Sequence, residues 1–141
     1  MSEETKLEKL EEYFAAKRTD WSNKIREIIH RLRKVNELDE AIVLMLSYRQ
    51  MILESITELN IKNKKAEAAY QSQHRVKYMG YYNHDYKFSD KQKDTMAKAD
   101  LIEKKKQMDL FESQIEFYRE SIKTLDNMGW AIKSRISVEQ M

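Results

Sequence analysis

The chain has 141 residues, no Pro, no Cys and only 2 Gly, a scarcity of turn-formers that argues against barrels, sandwiches and doubly wound sheets. Charged residues make up 35% and hydrophobic ones 41%, at a mean hydropathy of -0.81, so one wet domain with a thin apolar supply is expected. Net charge is only +2; the absence of Cys removes disulfides and thiolate metal sites, and no apolar run approaches the ~18 residues of a membrane span.

The acidic start Met1-Ser2-Glu3-Glu4 reads as neither a signal nor a transit peptide, consistent with a cytoplasmic protein. From about Thr5 to Arg18 and from about Asp20 to Lys34 the pattern predicts two short amphipathic helices. Asp20 is the expected cap of the second, where Trp21, Ile25, Ile28, Ile29 and Leu32 recur at helical spacing. These form an N-terminal region, 1–35, followed by a helical hairpin, 36–141. Its first long helix is expected from Asn36 to about Met79, with Gly80 taking a left-handed C-terminal position.

The second long helix opens on a capping box, Ser89 with Gln92, and Asp90 and Asp94 suit the positive end of its dipole. Beyond it the apolar residues fall on a seven-residue repeat. Leu101, Met108, Ile115 and Ile122 make one row; Phe111, Tyr118, Leu125 and Ile132 make the other. On the partner helix Leu38, Ile42, Met45, Ile52, Ile56 and Leu59 form a similar row, interrupted by Arg49. The fold class is therefore all-α: a long antiparallel helical hairpin with coiled-coil-like packing and shorter N-terminal helices. Ile42, Val43, Leu44, Met45 and Leu46 are consecutive and point in every direction, so either the N-terminal helices or another copy of the chain must cover the surplus. An oligomer follows from that surplus.

The charges are segregated. Residues 1–16 carry net -3, 17–34 net +5, 35–59 net -4, 60–106 net +6 and 107–141 net -2. Such blocks set local surface fields that the total conceals. If the chain turns near 80–88, the +6 block gathers at one end of the hairpin. Tyr78, Tyr81, Tyr82, Tyr86 and Phe88 crowd the same corner. The other end is apolar.

Little here is catalytic. His30, His74 and His84 are scattered, and neither a zinc-binding spacing nor a Gly-rich phosphate loop exists. Ser89 near His84 and Asp85 is better explained as a helix cap than as part of a triad. A binding protein without cofactor or metal is expected rather than an enzyme. Single strands are held by cations that track phosphates and rings on which bases stack, and 62–106 supplies both ingredients. No recognition helix, zinc finger or long basic fork points to a duplex reader.

From Ala41 to Lys133 the chain resembles the UvsY recombination mediators of large tailed phages. The likeness lies in the apolar run Ala41-Ile42-Val43-Leu44-Met45-Leu46-Ser47-Tyr48, the basic stretch ending Gln73-His74-Arg75-Val76-Lys77-Tyr78, Asp100 in the second helix, and Gly129-Trp130-Ala131-Ile132-Lys133. In the family's DNA-binding stretch, basic-x-Arg-apolar-x-Tyr, this chain matches at Arg75, Val76 and Tyr78, with Gln73 at the leading basic position. The resemblance implies a protein that binds single-stranded DNA without sequence preference and loads a RecA-like recombinase onto strands covered by single-strand-binding protein. It further implies a homo-oligomeric ring closed through C-terminal helices, a heptamer being one candidate size.

The expected nucleic-acid contacts are Lys62, Lys64, Lys65, Arg75 and Lys77 on phosphates, with Tyr78, Tyr81 and Tyr82 for stacking. The expected assembly residues are Phe111, Ile115, Tyr118, Ile122, Leu125, Trp130 and Ile132. The competing class is a structural coiled-coil adaptor whose basic tip meets an acidic protein.

Overall fold

The computed structural model describes residues 2–82 and 88–139. All secondary structure among them is helical: α1 (Glu3–Leu32), a short 3-10 turn (Val35–Glu37), α2 (Leu38–Tyr82), α3 (Asp90–Asp100) and α4 (Ile102–Glu139). At ~1.5 Å per residue, α2 alone is about 67 Å long.

Where two short N-terminal helices were expected, α1 runs unbroken through Asp20. The reason is its apolar row, Leu7, Leu10, Phe14, Trp21, Ile25, Ile28 and Leu32, which keeps one phase across Thr19-Asp20. Asp20 caps nothing. It pairs with Lys24 one turn on, at 3.0 Å. The N-terminal cap is Ser2, whose hydroxyl accepts from the Thr5 amide. At the far end Arg135 Nη1 donates to the Leu32 carbonyl at 2.9 Å, so an α4 cation meets the negative end of the α1 dipole.

Gly80 likewise departs from expectation. It lies inside α2, without the positive φ of a C-terminal glycine, because the helix continues to Tyr82. The second long helix is also not continuous. Leu101, at φ -110° and ψ 18°, interrupts it, and its amide turns back to the Lys98 carbonyl, which divides α3 from α4. The capping box at Ser89 is formed, with reciprocal bonds of 3.1 and 2.9 Å to Gln92.

α2 runs antiparallel to α3 and α4, as cross-pairs at His74–Asp94 and Arg49–Asp126 require. α1 lies beside α4 and against the first half of α2. Phe14 meets Phe111 edge-on at 6.0 Å, and Trp21 meets Tyr48 edge-on at 5.5 Å. Phe14, Trp21, Ile25 and Ile28 share one core with Met45, Ile52 and Leu59 of α2 and with Phe111, Ile115, Tyr118, Leu125 and Ile132 of α4. So α1 covers part of the apolar surplus on α2: Ile42, Leu44 and Tyr48 pack against this core. Val43 and Leu46 remain uncovered.

Candidate nucleic-acid interface

Past Ala66 the inward row of α2 changes character without changing spacing. Its aliphatic residues give way to Tyr70, His74 and Tyr78, one helical turn apart, and these face α3. The rings form a stepped row: Tyr70 to His74 and His74 to Tyr78 each have centroids 6.3 Å apart, with planes within 23° and 27°. From α3, Asp94 meets His74 Nε2 at 3.0 Å, and Asp90 accepts from the Tyr78 hydroxyl at 3.2 Å. Lys98 pairs with Asp94 at 3.0 Å and lies beside Tyr70. Three positions at four-residue spacing on one helix thus meet three on the other, in antiparallel order.

The electrostatics follow from these bonds. Lys98, and secondarily His74, hold the Asp94 carboxyl below its ordinary value, while Asp94 raises the Lys98 ammonium. Desolvation and then the Asp90 hydrogen bond push the Tyr78 phenol up. Tyr81 is raised chiefly by donating to Asp100 at 2.5 Å. Both phenols are therefore locked as neutral donors on carboxylates.

Between the helices a groove of about 540 Å³ is lined by this row together with Gln71, Arg75, Asp94 and Lys98. Its volume falls within the range of about 300–1,000 Å³ common for ligand sites. Arg75 is exposed and has no ion-pair partner among the described residues, as is also true of Lys62, Lys64, Lys65 and Lys77. By contrast Lys93, Lys98, Lys105 and Lys106 are each paired to a carboxylate.

The expected cations do not form one patch. At about 100° per residue, Lys64 and Arg75 point within about 20° of each other, on the groove side. Arg75 and Lys77 diverge by about 160°, so a strand on one flank of α2 cannot meet both. Lys62 instead edges a second groove, of about 440 Å³, between α1 and α2; its rims alternate Lys17 and Lys24 with Glu54 and Glu58, which favours no polyanion.

The expected rings also separate. Tyr78 belongs to the row. Tyr81 turns to Asp100 and lies edge-on to Phe88 at 5.9 Å. Tyr82 is 60% exposed, with the buried Lys93 ammonium 4.3 Å from its centroid. His84, Asp85 and Tyr86 lie outside the described residues. Sequence reasoning passed over Tyr70, Gln71 and Lys98 as groove residues, although the spacing Ala66, Tyr70, His74, Tyr78 carried the signal.

Of the expected assembly residues, Phe111, Ile115, Tyr118, Leu125 and Ile132 are buried within the chain itself and Ile122 is half-buried. Trp130 is 66% exposed and lines a shallow depression with Leu46, itself 65% exposed, over Met45 and Gly129.

Among the described residues no three His, Asp or Glu side chains converge as metal ligands, and no helix is long and apolar enough to cross a membrane. No protein-family model, curated protein or solved structure matches this chain.

Proposed function

We propose that this chain binds single-stranded DNA without sequence preference at its α2–α3 end. In that role it acts as a recombination mediator, loading a RecA-like recombinase onto strands covered by single-strand-binding protein. The observation that carries the binding reading is the juxtaposition of an unpaired cation, Arg75, with an ordered row of rings in an open groove. Phosphates need mobile, uncompensated positive charge and bases need rings to stack on; the groove sets Arg75 beside three half-buried rings. Lys64 extends the cationic side of the groove toward the three-helix body, while Lys62, Lys65 and Lys77 supply a diffuse field from the other flanks.

The mediator role rests on the resemblance to UvsY proteins. Assembly into a ring is part of the same reading, and it is supported by the exposed apolar pair Leu46 and Trp130 beside Val43. That patch lies in the region of Arg49 and Asp126, far along α2 and α4 from the groove, so binding and assembly use separate surfaces.

Titration of a labelled short oligodeoxynucleotide at increasing salt, with light scattering on the same samples, tests the reading. Affinity should fall steeply, with a log–log slope near -0.7 per phosphate neutralised. Arg75→Glu should weaken binding without changing the assembly size, and Trp130→Glu should reduce the size. A salt-independent titration, or assembly with no binding, would leave the coiled-coil adaptor as the better description.

A further inference from the structure

We propose that Tyr70, His74 and Tyr78 form a base-stacking platform that seats two or three nucleotides of a single strand, with Arg75 as the cation for its phosphates. The inference rests on the single-strand reading above and specifies where on the α2–α3 end the strand lies and what holds its bases.

The first argument is spacing. Ring centroids step by 6.3 Å, nearly twice the ~3.4 Å rise per base along one strand of a duplex. A base-paired helix cannot set successive bases on successive rings at that repeat. A lone strand, free to extend, can.

The second argument is preorganisation. Asp94 fixes the His74 ring and Asp90 fixes the Tyr78 ring, each from the opposite helix. Rings already immobile lose little rotamer freedom when a base settles on them, so more of the stacking energy appears as affinity. Tyr81 turns to Asp100, and Tyr82 lies nearest the Lys93 ammonium, which also reaches the Tyr78 ring at 5.8 Å; neither continues the row.

The third argument is charge. Asp94 lines this groove and Asp90 borders it at Tyr78; His74 and Lys98 contact the first and Lys93 pairs with the second, so their repulsion of phosphate is offset within the site. Arg75 on the edge then contributes a net positive charge one residue from the central ring. A purely electrostatic tip would have no need of parallel rings; the combination fits a ligand that alternates flat aromatic groups with anions.

The test compares a short oligodeoxythymidine with an abasic strand of equal length, both labelled, on the full chain. The wild type should prefer the strand with bases by at least roughly five- to a hundredfold, the range that stacking of a single base supports. Tyr70→Leu should lose about one base's share of that preference and bind the abasic strand as the wild type does. Tyr13→Leu, an exposed ring on α1, should change neither affinity. In parallel, photocrosslinking of a bromodeoxyuridine-substituted strand to the unaltered protein should place adducts at Tyr70, His74 or Tyr78, a readout independent of how well any variant folds.

Equal wild-type affinity for the two strands, or adducts confined to Tyr82, overturns the platform while leaving a cationic single-strand binder in place. Failure to bind either strand removes the platform and the function reading together.

Discussion

Arg18 Nη1 donates to Gln114 Oε1 at 2.9 Å, joining the middle of α1 to a side chain of α4 that is 0% exposed. The amide nitrogen of the same Gln114 has no hydrogen-bond partner among the described residues. Arg135 and the Leu32 carbonyl join the same two helices, so this contact is one polar point in a largely apolar seam. A charged hydrogen bond of this kind stabilises by about 1.5–3 kcal/mol, whereas the unpaired buried donor costs about 1–3 kcal/mol, so the two nearly cancel.

The cancellation makes a double-mutant cycle informative. Arg18→Met alone should destabilise by roughly 1.5–3 kcal/mol, because it leaves both polar atoms of Gln114 buried and unbonded. Adding Gln114→Leu should restore or exceed the original stability. Urea denaturation of the four forms measures the coupling, and an additive result would show that the two residues act independently.

Neighbouring isoleucines on α1 should behave in opposite ways. Ile28 is 0% exposed in the core, and Ile28→Ala should cost about 2–5 kcal/mol through lost transfer energy and the cavity left behind. Ile29 is 41% exposed, so Ile29→Ala should stay within roughly 0.5 kcal/mol. Thermal melts of the two variants decide whether α1 belongs to the core or merely rests on it.

Both glycines lie inside helices without positive φ. A methyl group added at Gly80 meets nothing within 4 Å, and one at Gly129 meets Met45 Cε at an ordinary 3.8 Å. Gly80→Ala and Gly129→Ala should therefore each stabilise by about 0.5–1 kcal/mol. A fall in melting temperature for Gly80→Ala would mean that α2 ends at that residue in solution.

The α2–α3 contact should respond to pH at both extremes. Asp94, held below its ordinary value chiefly by Lys98, contributes stability above the unfolded carboxyl value of ~3.9, and that contribution is lost as pH falls through the lower folded value. Tyr78 and Tyr81 are raised, so theirs is fully present below the unfolded phenol value of ~10 and lost as pH rises through the folded values. Phenolate absorbance should show Tyr78 and Tyr81 titrating late, and Asp90→Asn should bring Tyr78 earlier.

Much of this architecture was already written in local pattern. Leu101, Met108, Ile115, Phe111, Tyr118, Leu125 and Ile132 are buried because a seven-residue repeat puts them on one side of any helix they form. The Ser89–Gln92 box formed because both of its bonds are made within four residues. Asp20 and Gly80 were misplaced for the complementary reason: each has the residue type of a helix end, but the apolar phase on either side favours continuation.

Composition and periodicity by themselves thus determined the helical class, the interior row of α4 and the accumulation of positive charge between residues 60 and 106. Those properties depend on the order of residues within a few turns. Which flank of α2 faces a groove, which groups fix the rings, and which of the apolar residues stay uncovered were decided only when α3 was laid against α2, and α1 against α2 and α4. Cross-helix bonds such as His74–Asp94 act between residues that the linear pattern keeps apart.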